Sequence, residues 1–131
     1  MTNLVSHLVE SPHSTEQIAL FVESLAREYY ADGPERRSEP RYKMTIPVLA
    51  QPVDDQLEPT GDVFRAVTRD ISAHGIGMLS QDPTRADFLA LQLQLPSGTD
   101  TALFIKVLRC QLLGFYYNIG GLFVTGRDAS A

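Results

Sequence analysis

Two short clusters of residues carry side chains suited to binding a small anionic ligand. The first is the run Arg37-Ser38-Glu39-Pro40-Arg41, and the second is the run Asp70-Ile71-Ser72-Ala73-His74-Gly75. A guanidinium presents rigid paired donors that match phosphate oxygens or the O6 and N7 acceptors of guanine, and its flat face can stack on a base. The carboxylate of Asp70 can accept hydrogen bonds from the neighbouring N1 and N2 donors of guanine. Together the clusters predict a site for a small guanine nucleotide.

The smaller residues of the second cluster have both a functional and a structural interpretation. The hydroxyl of Ser72 can bond either a base or the backbone of its own turn, and Gly75 allows a close approach of main chain to ligand. Pro40 disfavours a helical conformation at the preceding residue, so we expect the arginine segment to be extended or turning. The signal becomes specific because both clusters occur in this order, with a predicted strand pair between them.

The composition narrows the class of protein. A chain of 131 residues with 44% hydrophobic residues is the size of one domain with one core. Its net charge of -5 argues against sequence-independent binding to DNA or RNA, which needs many cations. Cys110 is the only cysteine, so the chain cannot build a disulfide framework or a thiolate zinc site, which fits a reducing compartment. We find no catalytic motif and no metal-ligand spacing, and expect a bacterial cytoplasmic protein that is not an enzyme.

The elements that position these residues follow from the hydrophobic pattern. In residues 14–30 the apolar side chains recur at intervals of three and four residues, which predicts an amphipathic helix. Gly33 and Pro34 terminate it. The pattern then changes to the two-residue period of strands, with a leucine at every second position from Leu89 to Leu95. No run of apolar residues is long enough to span a membrane as a helix, so we expect no membrane insertion.

Six short strands are predicted after the helix, and a small antiparallel barrel would leave none of them with an exposed edge. The fold class is therefore mainly β, with an N-terminal helix. We divide the chain into a helical extension (1–34), a β-barrel domain (35–124) and a flexible tail (125–131). The predicted strands are 42–50, 63–69, 76–79, 89–95, 102–112 and 116–124.

The two clusters resemble the signature of the PilZ domain, a bacterial receptor module for cyclic di-GMP. That signature is Arg-x-x-x-Arg followed, after about one strand pair, by Asp or Asn-x-Ser-x-x-Gly, and it is intact at residues 37–41 and 70–75. The similarity extends over residues 35–124, including the leucine strand that ends at Pro96 and the closing run Tyr117-Asn118-Ile119-Gly120-Gly121-Leu122-Phe123. Residues 1–34 lie outside it.

The resemblance implies a six-stranded PilZ-type barrel that holds cyclic di-GMP between an arginine arm and the barrel surface. The implied ligand-binding residues are Arg37, Arg41, Asp70, Ser72 and Gly75, and Arg36 is a further guanidinium for a second base. No cofactor is implied. Ligand binding is expected to order the arm, and because 131 residues include no linked output domain, the response is expected to reach an effector protein in trans.

Two other functions and one assembly stay open at this stage. A PilZ-like adaptor would keep the fold but bind a protein, with weak or no nucleotide binding. A small barrel that binds nucleic acid is disfavoured by the acidic balance. The N-terminal helix would cover the barrel, or else its wide apolar face would form a homodimer with a second copy.

Overall fold

The computed structural model describes residues 15–29, 41–95 and 101–124, which form one helix and six strands. The strands are all antiparallel and close into a barrel in the order β1-β2-β3-β6-β5-β4. This confirms the predicted mainly β fold. The elements are α1 (Thr15–Tyr29), β1 (Pro47–Val53), β2 (Phe64–Ile71), β3 (Gly75–Ser80), β4 (Phe88–Leu93), β5 (Thr101–Leu113) and β6 (Tyr116–Phe123).

Alternating side chains of the strands fill the barrel. Leu89, Leu91 and Leu93 of β4 are each 0% exposed, as their two-residue spacing predicts. Ile71 of β2 and Ile119 of β6 meet them in the same buried cluster. The inward positions are therefore mostly apolar, although Thr68 of β2 is a buried polar exception.

The helix α1 packs into this same core. Ile18, Val22 and Leu25 are 1–2% exposed and belong to the buried cluster that fills the barrel, together with Met44 and Ile46. The prediction that the helix covers the barrel is confirmed. These three residues of the apolar face, which was the alternative basis for a homodimer, are thus buried within the chain, whereas Tyr29 and Tyr30 of the same predicted face lie outside the described side chains.

The first strand lies further along the chain than predicted. β1 begins at Pro47 and continues through Pro52 to Val53, whereas residues 42–46 are held beside β2 without being a regular strand. The hydroxyl of Thr68 replaces part of the ladder there: it accepts from Ile46 N at 2.8 Å and donates to Met44 O at 2.5 Å. The alternation of buried residues from 42 to 50 was correct, but the bounds drawn from it were wrong.

Two β-bulges interrupt the alternation, one between Thr68 and Asp70 in β2 and one between Val107 and Arg109 in β5. In each, one extra residue shifts the following side chains to the opposite face. The second strand was predicted to end at residue 69, yet Asp70 pairs with Gly77 and β2 runs on to Ile71. The prediction had assigned residues 70–75 to the following turn, whereas β2 continues past the bulge to the second residue of that run.

The last two strands form the predicted hairpin with a two-residue loop. Gly114 has a φ of 66°, and glycine adopts this conformation without steric penalty. The aromatic residues of this hairpin, Phe104, Phe115, Tyr116, Tyr117 and Phe123, were expected to pack in the core. Phe104 and Phe123 are buried, but Phe115 and Tyr116 are 94% and 46% exposed, so the expectation was wrong for these two.

Candidate functional site

A row of four residues crosses the outer face of β2, β3, β6 and β5. Asp70 pairs with Gly77, Gly77 with Gly120, and Gly120 with Arg109. A Cβ placed on Gly77 would lie 3.0 Å from Oδ1 of Asp70, and one placed on Gly120 would lie 3.1 Å from Cζ of Arg109. The two glycines therefore form a groove floor over which a carboxylate and a guanidinium extend from opposite walls.

Arg41 reaches the same groove from the segment that leads into β1. Its Nη1 lies 3.7 Å from Oδ1 of Asp70, and the two side chains are 48% and 20% exposed. Tyr42 fixes this position, because its N–H and carbonyl both bond to Ile71 at 2.9 Å. The second arginine of the first sequence cluster and the aspartate of the second are thus adjacent, although 28 residues separate them in the sequence.

Such an exposed ion pair contributes little stability, about 0–1 kcal/mol, and can be exchanged for other partners. The pair leaves the guanidinium of Arg41 accessible to an anion and the carboxylate of Asp70 accessible to hydrogen-bond donors. The groove can therefore present an acceptor and a donor to one ligand.

Ser72 and Gly75 build the tight turn between β2 and β3. The Ser72 hydroxyl accepts from the N–H groups of His74 and Gly75 at 3.3 and 3.2 Å and donates to the Gly75 carbonyl at 3.4 Å. Ser72 is 2% exposed. A Cβ on Gly75 would lie 2.6 Å from the carbonyl oxygen of Gly121, so this position requires glycine for a close backbone approach. In this structure both residues shape the turn that ends beside the groove.

These parts enclose a concavity of about 110 Å³. Typical small-molecule pockets are about 300–1,000 Å³, so this surface supplies only part of a nucleotide site. Arg36 and Arg37, the other predicted ligand residues, lie outside the described residues. The residues that line the concavity include the predicted Arg41, Asp70, Ser72 and Gly75, and also His74, Gly77, Leu108, Arg109, Gly120 and Leu122.

A larger concavity of about 480 Å³ lies elsewhere on the outer face, between β2, β3 and the start of β6. Its lining includes Phe64, Val67, Leu79 and Tyr116, and none of the residues predicted to bind a ligand. Polar side chains also line it, namely Arg65, Ser80, Gln81 and Asp82, but they belong to neither sequence cluster. We therefore assign the candidate site to the smaller groove.

Sequence reasoning missed Arg109, Gly77 and Gly120 as parts of the groove. A signal was present, since Arg109 interrupts an apolar strand and glycines recur at Gly75, Gly77, Gly120 and Gly121. Glycine inside a strand marks a bulge or a close approach. The pairing that brings these positions together is a property of the barrel and cannot be derived from local spacing.

Within the described ranges, no three His, Cys, Asp or Glu side chains come together as metal ligands. A search of the same residues finds no helix that is long and apolar enough to cross a membrane.

Comparison with known proteins gives a family match and two structural likenesses. The model of the PilZ domain family matches residues 35–127. A search of curated protein sequences finds no significant match.

The structure of the Bacillus subtilis inhibitor of motility MotI/DgrA is similar with a TM-score of 0.53 and 19% identity, over 73% of this chain and 47% of that chain. This chain therefore spans less than half the length of that protein. The PilZ domain of Escherichia coli YcgR with c-di-GMP gives a TM-score of 0.45 and 14% identity, over 70% of this chain and 80% of that chain. At these identities the likeness to MotI/DgrA shows a shared fold alone.

Proposed function

The chain belongs to the PilZ domain family, and from that membership we propose that it is a receptor for cyclic di-GMP. The proposed ligand-binding residues are Arg36, Arg37, Arg41, Asp70, Ser72 and Gly75. One observation carries the proposal: Arg41, Asp70, Ser72 and Gly75, which come from two separate segments, line one groove on the barrel surface.

Asp70 is the proposed selector for guanine. Its carboxylate is partly exposed and lies over the Gly77 backbone, where it can accept from N1 and N2 of a base that enters the groove. Adenine lacks that pair of donors. In the ligand-bound state the carboxylate would exchange its long contact with Arg41 for these shorter bonds.

Arg41 is the proposed phosphate ligand on the barrel side. Cyclic di-GMP carries two negative phosphates, and hydrogen bonds between charged groups contribute about 1.5–3 kcal/mol each. A phosphate placed between Arg41 and the arginines before it would turn the guanidinium away from Asp70. Binding would thus separate the two halves of the present ion pair and give each a stronger partner.

Arg36 and Arg37 are proposed to complete the site from the arm. Arg37 is four residues before Arg41, so its Cα lies within about 14 Å of the Arg41 Cα whatever the conformation between them. A side chain on that tether can reach over the groove. The small volume of the groove supports this arrangement, because a dinucleotide seated there needs contacts on its second side.

Ordering of the arm is the proposed output. With cyclic di-GMP bound, the arm and the ligand together would form a surface that an effector protein in trans recognises. The alternative is an adaptor that binds its partner with weak or no nucleotide binding. A homodimer would need a surface other than the buried residues of α1. Leu20, on the opposite side of the helix, is 65% exposed.

The deciding experiment is a calorimetric titration with cyclic di-GMP, using cyclic di-AMP and GTP as controls. We expect saturable binding of cyclic di-GMP alone, and a loss of tenfold to more than a hundredfold in Asp70→Ala, Arg41→Ala and Arg37→Ala. Asp55→Ala, which removes an exposed carboxylate outside the groove, is the matched control and should bind as the wild type does. No binding at millimolar ligand would favour the adaptor.

A further inference from the structure

We propose that Arg109 is an additional ligand-contacting residue, and that its guanidinium, held flat over Gly120, stacks against a guanine base on the wall of the groove opposite Asp70. The inference rests on the proposed binding of cyclic di-GMP and deepens it. Arg109 belongs to neither sequence cluster, because it lies 34 residues after Gly75.

The position of the guanidinium is defined by the glycine beneath it. A Cβ built on Gly120 would lie 3.1, 3.2 and 3.3 Å from Cζ, Nε and Nη2 of Arg109. Three atoms of one planar group that are almost equally distant from a point lie face-on to it. One face of the guanidinium therefore covers Gly120, and the opposite face is turned outward.

The β5 bulge is what brings Arg109 to this face. Val107 pairs with Gly121 and Arg109 with Gly120, so the extra residue between them is Leu108. In a regular strand Arg109 would share the inward face of Val107, where a charge could not be accommodated. The bulge turns both Leu108 and Arg109 outward, and bulges commonly re-aim a side chain in this way.

The surroundings of Arg109 leave its outward face available. Among residues 15–29, 41–95 and 101–124 it has no hydrogen-bond or ion-pair partner, and its side chain is exposed. Leu108 and Leu122, 58% and 46% exposed, line the same concavity. A flat cation flanked by accessible leucine side chains is a surface on which a purine can lie, since bases stack on guanidinium planes and pack against apolar groups.

Two roles for Arg109 make opposite predictions. If it stacks on a base, a planar side chain is required and the charge is secondary. If it only attracts a phosphate, the charge is required and planarity is secondary. The face-on placement over Gly120 favours stacking, because it leaves the whole opposite face of the guanidinium available to a base.

The test is a calorimetric titration of cyclic di-GMP into the full chain and four variants. We expect Arg109→Ala and Arg109→Lys to weaken binding about tenfold or more, from the loss of one stacked base. Arg109→Tyr should stay within about threefold of wild type, because an aromatic ring can also cover a cross-strand glycine. Gly120→Ala should weaken binding less than Arg109→Ala does, since a Cβ at 3.1–3.3 Å moves the guanidinium by only a few tenths of an ångström.

Arg85→Ala is the matched control, because it removes an exposed arginine from the loop before β4. Retained binding in Arg109→Lys with loss in Arg109→Tyr would overturn stacking in favour of a phosphate contact. Unchanged affinity in Arg109→Ala would remove Arg109 from the site while leaving the receptor function intact, provided that the wild type binds and Asp70→Ala does not. A wild type that fails to bind would end both proposals.

Discussion

At the scale of single residues, the groove depends on two glycines, which have no side chain. Asp70 and Arg109 extend across neighbouring strands only because Gly77 and Gly120 have no Cβ in their way. The two glycines pair with each other, so the floor is continuous between the two charged walls. The carboxylate and the guanidinium can therefore lie close to the sheet, which larger residues at these two positions would prevent.

We predict that Gly77→Ala impairs the site more than it impairs the fold. The new methyl group would meet the far end of the Asp70 side chain at 3.0 Å, and that carboxylate can rotate away. Cyclic di-GMP affinity should fall about tenfold, measured by calorimetry, while the urea midpoint of unfolding changes little.

Gly75→Ala provides the contrast. There the methyl group would meet the Gly121 carbonyl at 2.6 Å, and backbone cannot move aside cheaply. This variant should lower the free energy of unfolding by more than about 1 kcal/mol. Equal effects of the two alanines on stability would contradict the distinction between a displaced side chain and a displaced backbone.

At the scale of elements, the segment before β1 is what places Arg41. Residues 42–46 lie along β2, where Thr68 bonds both Ile46 N and Met44 O and Ile71 pairs with Tyr42. These contacts are buried and specific, so the segment has a fixed register against β2. The end of the arm that joins the barrel is therefore anchored one residue after Arg41.

We predict that Thr68→Val destabilises the protein by about 1–3 kcal/mol. Valine has nearly the same shape but leaves a buried N–H and a buried carbonyl without their partner. The measurement is urea unfolding followed by circular dichroism. Thr84→Val is the control, because Thr84 only accepts one bond from Ala86 N in a loop, and it should change the free energy of unfolding by less than about 1 kcal/mol.

The elements also show what the sequence could and could not predict. The leucine alternation of β4 and the helical spacing of α1 are local, and both were predicted correctly because burial follows the period directly. The outward direction of Asp70 and Arg109 depends on two bulges, each a shift of one residue within an otherwise regular pattern. The residue types indicate what these side chains can bind, which stays a prediction, whereas the side of the sheet on which they lie could not be derived from local spacing.

At the scale of the whole molecule, the helix and the barrel share one core. Ile18, Val22 and Leu25 are as buried as the barrel interior, although they lie outside the residues that the family model matches. The division into a helical extension and a barrel domain stays a prediction from sequence. The shared core nevertheless means that the helix contributes to the stability of the barrel.

We predict that Leu25→Ala lowers the free energy of unfolding by about 2–5 kcal/mol and keeps a single cooperative transition. Leu20→Ala on the exposed side of the same helix should have little effect, since Leu20 is 65% exposed. Thermal unfolding of the two variants makes the comparison. A barrel transition that is unchanged in Leu25→Ala would show that the helix is dispensable.

The proposed ordering of the arm is also testable on the whole chain. Hydrogen exchange of peptides that cover residues 36–41 should slow when cyclic di-GMP is added, because the arginine side chains gain partners there. The peptide over β4, on the opposite side of the barrel, serves as the internal reference. Equal exchange of the arm peptide with and without ligand would contradict arm closure while leaving binding itself intact.

The strand order has a consequence for when the candidate site can form during synthesis. β3 pairs with β6 and not with β4, so the floor of the groove joins Gly77 to Gly120 across 43 residues of chain. Contacts so distant in sequence form late, after the loop between them has closed. A chain in which β6 has not yet been synthesised has no such floor, so the candidate site cannot form before β6 is available to pair with β3.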